Sequence, residues 1–176
     1  MKGFVVIAFA VACGAAFCRA RAQEVAFASA VNYEAEVNAP GDVISFLLTA
    51  TDERLMNIEE GTLAWRNSGS QNVRDYATRM MIDQRVMLGY IKKMALLRGL
   101  ILPERAGREC DKLAGLSGRK FDKVFIKMMI ADREYDLELF SRAAESSDIE
   151  IRRFAKLYIP VLKEQLLQAK ALRRID

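Results

Sequence analysis

Few side chains in this sequence are placed to do chemistry, and those few interrupt apolar rows. Asn57, Gln84, Arg133 and Gln165 each stand among apolar residues at the three- and four-residue spacing of one helix face. Arg133 shares its row with Met129, Leu137 and Phe140, and Gln84 with Ala77, Met80, Leu88 and Ile91. Gln165 lines up with Val161, Ala169 and Leu172. Asn57 lines up with Ala50, Gly61 and Ala64, in a row broken by Glu53 and Arg54. Burying such groups unpaired costs about 1–3 kcal/mol each, and more for a charge. A shared central cluster is therefore expected, with Glu53 or Glu60 as the acid for Arg133. In the competing arrangement the four sit at stripe edges and Arg133 snorkels to water.

Other chemistries are weaker. The chain has no histidine, which excludes imidazole acid–base catalysis, His-ligated metals and Ser-His or Cys-His nucleophiles. Asp132, Glu134, Asp136 and Glu138 alternate along one segment, so they divide between two helix faces and read as solvated acids rather than a carboxylate metal site. Met80, Met81, Met128 and Met129 could suggest copper, but thioethers in a helical stripe read first as core packing. Lys92-Lys93 and Arg173-Arg174 read as solvated helix ends. Gly115-Leu-Ser-Gly118 lacks the strand and the Lys of a phosphate loop. No catalytic, cofactor-binding or metal-ligating residue is assigned, and no cofactor is expected.

The elements that must hold the four polar residues are helices. Pro40-Gly41-Asp42 signals a helix start with Asp42 as cap, and the first helix is expected over 43–67. Ser68-Gly69-Ser70 is a tight connection to a second helix over 71–98, which ends at Gly99 before Pro103. Leu100-Ile-Leu-Pro103 should pack on the bundle, and a short helix is expected over 109–116. A third helix follows over 120–145, then the turn Ser146-Ser147-Asp148 and a fourth helix over 149–173. Pro160 is expected to kink or split that helix near Tyr158. Leu48 and Trp65 are among the apolar residues of the first helix, Leu97 belongs to the helical period of the second, and the fourth should bury Leu157 with its other apolar residues. No segment alternates as a strand would. Short links within each pair and a long link between pairs imply an all-α antiparallel four-helix bundle with one crossover. Val73-Arg-Asp-Tyr-Ala77 faintly repeats as Ile151-Arg-Arg-Phe-Ala155.

At 176 residues the chain suits one such domain, expected over 41–174. Residues 1–22 combine Lys2, an apolar run from Phe4 to Phe17 and the A-x-A site Ala20-Arg21-Ala22, which reads as a secretory signal peptide. Residues 23–40 are then a flexible leader. The chain carries 27 basic and 23 acidic residues, and the first 22 hold three of the basic residues and no acid, so their removal lowers the net charge from +4 to +1. That near-neutral remainder argues against a nucleic-acid partner. Export to the periplasm follows, with no membrane span in the mature chain. A lipoprotein anchored through Cys13 is the alternative. Cleavage after Ala22 would leave Cys110 as the sole cysteine, so no internal disulfide is expected. Partners stay unknown, and a homo-oligomer is left open.

Several segments, taken in order, carry a family resemblance. They are Val73-Arg-Asp-Tyr-Ala77 with Met81-Ile-Asp83, Gly99-Leu-Ile-Leu-Pro103, Phe121-Asp122, Met129-Ile-Ala-Asp132 and Ala155-Lys-Leu-Tyr-Ile-Pro-Val-Leu162. From about Asp42 to Leu172 the chain resembles the ferritin-like bacterial family called domain of unknown function 4142. The resemblance implies an exported helical bundle with no settled activity. The family's usual pattern has His where this chain has Gln84, Arg133 and Gln165, and Glu where it has Asn57. The resemblance therefore implies a changed central site. A metal-free, non-enzymatic binding or structural module of the cell envelope is expected. A ferritin-like metal-binding protein or oxidoreductase is the alternative, and a lipid-anchored adaptor a third reading.

Overall fold

The computed structural model describes residues 40–107 and 110–175. The expected signal peptide, the Cys13 anchor and the leader up to residue 39 lie outside the described residues, as does the start of the expected 109–116 helix. Four long helices form the bundle: α1 (Gly41–Asn67), α2 (Gln71–Leu96), α3 (Gly118–Ala143) and α4 (Ile149–Ile175). A 3-10 turn, Asp111–Leu113, lies among the described residues of the long link between α2 and α3. The described residues contain no strand.

Local sequence fixes most of the ends. α1 starts at Gly41, with Pro40 just outside it, so Asp42 lies in the first turn and not at the cap. There its charge still complements the amino-terminal end of the helix dipole. Ser70 caps α2, its hydroxyl accepting from the Val73 N–H at 3.5 Å. The turn after α2 reaches Gly99, whose φ of 68° suits glycine, and the Leu100 N–H closes the helix end on the Ala95 carbonyl at 3.0 Å. Asp148 caps α4, accepting from the Glu150 and Ile151 N–H groups at 2.9 and 3.0 Å. Pro160 does not split α4, which runs unbroken through it. Proline removes one N–H donor and crowds one carbonyl, and here a long, well-packed helix on an otherwise good apolar face tolerates that loss.

α1 packs chiefly on α2 and α3 on α4, and the pairs meet through α1–α3 and α2–α4 contacts. Side chains tie the two ends. At one, Asp122 of α3 accepts from Ser68 Oγ at 2.5 Å and from the Gly69 N–H at 3.2 Å, stapling the α1–α2 turn. A Cβ on Gly69 would lie 3.1 Å from the Gly118 Cα, so the turn needs glycine for close approach. At the other end, Arg98 after α2 donates to Asp148 Oδ2 at 2.7 Å.

The apolar interior has two parts. One cluster gathers Phe46, Leu47, Met87, Ile91, Phe140, Phe154 and Leu162. The other gathers Tyr76, Met80, Phe121, Phe125, Met129 and Leu172. Met80, Met81 and Met129 belong to this second core and Met128 packs against it, as expected of stripe residues. Leu100 and Leu102 pack on the first cluster, whereas Ile101 between them is exposed. Leu157, expected inside, faces solvent instead, as do Leu48, Trp65 and Leu97 from the apolar residues of α1 and α2 and the turn after α2. Their stripes are narrower than a plain count of apolar letters suggests, because charged residues occupy part of the interior.

Candidate functional site

A polar layer lies between the two apolar clusters. Asn57, Gln84 and Arg133 are inaccessible to solvent and Gln165 is nearly so. Arg133 lies at the centre. Its Nη1 donates to Gln165 Oε1 at 2.9 Å and its Nη2 to Asn57 Oδ1. Gln84 Nε2 also donates to Gln165 Oε1, at 3.3 Å, and Gln165 Nε2 passes the chain outward to Asp83 Oδ2 at 2.8 Å. Asn57 Nδ2 returns to its own helix, at the Glu53 carbonyl, 2.6 Å away. One side chain from each helix thus joins a single hydrogen-bonded chain.

The acid that meets Arg133 is neither Glu53 nor Glu60. It is Asp136, one turn along α3, whose Oδ2 is 3.1 Å from Arg133 Nη2. Asp136 is fully buried and not on the solvated face its alternating neighbours suggested. Glu134 and Glu138 do face solvent and Asp132 is half-buried. A second guanidinium, Arg54 of α1, pairs with Asp136 Oδ1. Arg54 is also inaccessible, stacks over the Phe140 ring at 5.4 Å and points Nη1 at Met87 Sδ, 3.8 Å away. Glu53, Arg54, Asn57, Glu60 and Gly61 are all buried, so the charges that seem to break the α1 row are part of it. The row Met129, Arg133, Asp136, Phe140 on α3 has the same helical spacing, and that spacing was the available signal for Asp136.

The layer therefore holds two buried guanidiniums on one buried carboxylate. Burial depresses the Arg54 pKa, Asp136 opposes that shift, and the like charge of Arg133 adds to it. Tyr76, buried beside the layer, has its hydroxyl pushed up to about 12, first by desolvation and then by Asp132 and Asp136, against the pull of Arg133. Tyr76, Asp83 and Gln165 also line a cleft of about 440 Å³ between α2 and α4.

This donor set does not fit a ferritin-type metal centre. Such a centre needs inward carboxylates and imidazoles, and the positions here carry amides and a cation. Asp136 is already shared by two arginines. Among the described residues no group of three or more His, Cys, Asp or Glu is arranged to hold a metal ion. Away from the layer, Cys110 Sγ lies 3.3 Å from Met56 Sδ.

Comparison with known proteins places this fold. Among solved structures, CopM in its Cu(I)-bound form superposes with a TM-score of 0.66 at 18% identity, over 75% of this chain and 95% of that one. CopM in an Ag-bound form gives 0.65 at 19% identity, with the same coverage. A DUF305 fragment from Deinococcus radiodurans gives 0.65 at 14% identity, over 77% of this chain and 98% of that one. At such identities the likeness is one of fold. No functionally curated protein matches the chain. The model of the family described as domain of unknown function DUF4142 matches residues 28–172, and the chain belongs to that family.

Proposed function

We propose that this protein is an exported, metal-free helical bundle that serves as a non-enzymatic binding or structural module of the cell envelope. The observation that carries the reading is the Arg54–Asp136–Arg133 arrangement with its three amides. A guanidinium cannot ligate a metal, and two of them repel a cation from the place where a ferritin-type ion would sit. Arg133 supplies from within the chain a positive charge like that of the ion, and two of the amides at these positions, Gln165 and Asn57, accept from its Nη1 and Nη2. Metal analysis of the protein purified from metal-replete cells tests this. Iron, manganese and copper should all fall well below one equivalent, and a stoichiometric content of any of them overturns the reading. Export rests on residues 1–22. Mass spectrometry of the purified amino terminus should find Gln23, whereas an acylated Cys13 would make the protein a lipoprotein.

A second reading has its own observation. The Cys110 and Met56 sulfurs are close enough to share a soft monovalent ion such as Cu(I) or Ag(I), and CopM, of like fold, is known with both. Under this reading a Cu(I) competition titration shows one tight site that Cys110→Ser and Met56→Leu each abolish. Under the first reading the titration shows none.

A further inference from the structure

The α2–α4 face at the Arg98–Asp148 end carries apolar side chains with nothing over them. Tyr90, Leu97 and Leu157 are 52%, 67% and 63% exposed and line one groove of about 310 Å³, and Leu96, next to Leu97, is 78% exposed. Phe154 and Met94 form the floor. Tyr90 leans on Phe154 and Tyr158, with ring centroids 6.5 and 6.3 Å away, so its ring is fixed while its edge stays outside. Two exposed leucines and an anchored tyrosine in one groove, with Leu96 exposed beside it, exceed the scattered exposure ordinary for a protein surface.

The charge around the groove is one-sided. Lys93 and Arg153 line it, and Lys92 and Lys156, adjacent in sequence to Lys93 and Leu157, are exposed as well. Its one acid, Glu150, is 3.0 Å from Arg98, which it shares with Asp148, so the four basic side chains stand against one net negative charge there. Seated directly on a second copy of itself, this rim would bring lysines and arginines against lysines and arginines. Against a sheet of phosphates the same rim is complementary, at roughly 1 kcal/mol for each basic side chain near the surface. Aliphatic tips, an interfacial tyrosine and a basic rim together match the boundary between lipid headgroups and acyl chains.

We propose that this groove docks the bundle on an anionic lipid surface, with Leu96, Leu97 and Leu157 entering the interface and Lys92, Lys93, Arg153 and Lys156 on headgroup phosphates. The inference is independent of the central polar layer and holds whether or not a metal binds. The test is co-sedimentation of the full chain, as purified, with vesicles of phosphatidylcholine alone and of phosphatidylcholine with phosphatidylglycerol. Binding should appear only with phosphatidylglycerol and should fall at least tenfold between low and high salt. Leu97→Glu/Leu157→Glu should reduce it at least tenfold, as should Lys93→Glu/Arg153→Glu, both with unchanged circular dichroism. Equal binding to both vesicle types overturns the proposal, as does no binding to either. Undiminished binding by either double variant also overturns it, since the contact would then lie elsewhere in the chain. A sedimentation-velocity dimer that Leu97→Glu/Leu157→Glu dissociates, without any vesicle binding, would assign the groove to a second copy instead.

Discussion

Asp136 holds the two buried cations, so its charge should matter more than its shape. Asp136→Asn takes the shared ion-pair partner from both buried guanidiniums, leaving Glu53 to act on Arg54 only through space, and should cost about 3–5 kcal/mol in urea unfolding. Arg54→Met/Arg133→Met/Asp136→Leu removes all three charges together and should cost less than the single change, despite being the larger edit. An Asp136→Asn midpoint equal to wild type would show that the layer is not held by charge. Tyr76 makes a second prediction. Its folded pKa of about 12 lies above the ordinary value near 10. Stability from its neutral form is complete below about pH 10 and is lost as pH rises towards 12, by roughly 2 kcal/mol. Tyr76→Phe should flatten that alkaline decline in urea titrations made at successive pH values. At this scale the sequence was legible where one polar residue stood alone in an apolar row, as Gln84, Arg133 and Gln165 do. Arg54 and Asp136 were hidden by charged sequence neighbours: Asp52 and Glu53 precede Arg54, and Glu134 and Glu138 flank Asp136. Composition obscured a helical spacing that was present.

Asp148 is the element-scale counterpart, because it both caps α4 and receives Arg98. Burial alone would raise its carboxyl pKa, but the Arg98 hydrogen bond and the Ile151 and Glu150 N–H groups outweigh burial and hold it below the usual carboxylate range. A depressed folded pKa means stability that is present above about pH 4 and lost as pH falls through the folded value. Asp148→Ala should therefore cost about 1 kcal/mol at neutral pH and remove part of the acid sensitivity of thermal unfolding. An unchanged acid limb would rule out this cap as its source. The turn itself was legible from Ser146-Ser147-Asp148. Its ion pair was not, since Arg98 lies 50 residues away along the chain. Helix ends followed local chemistry and were placed within a few residues. Of the kink or split expected at Pro160, the split does not occur, because packing along a 27-residue helix outweighs one missing donor.

At the scale of the whole molecule, the all-α bundle and the order of its connections were legible from period, turn residues and link lengths. The direction in which solvent-facing leucines point was not, because only the assembled pairs decide it. The central layer yields a prediction here too. Asn57→Glu/Gln84→His/Arg133→His/Gln165→His restores the family's usual side chains at all four positions. It should bind about one equivalent of a transition metal per chain by mass spectrometry under native conditions, where the parent binds none. Failure of this variant, while folded, to take up any metal would argue against a replaced centre. The layer also bears on how the helices find their places. A purely apolar seam would let one helix slide a turn, about 5.4 Å, against its neighbours at small cost. Here such a slide would carry Arg133 and Asp136 towards one of the apolar clusters and part Arg133 from Gln165 and Asn57. The hydrogen-bonded chain thus acts as an index mark. It admits one alignment of four otherwise interchangeable greasy rods, and specifies the native pairing even where it adds nothing to net stability.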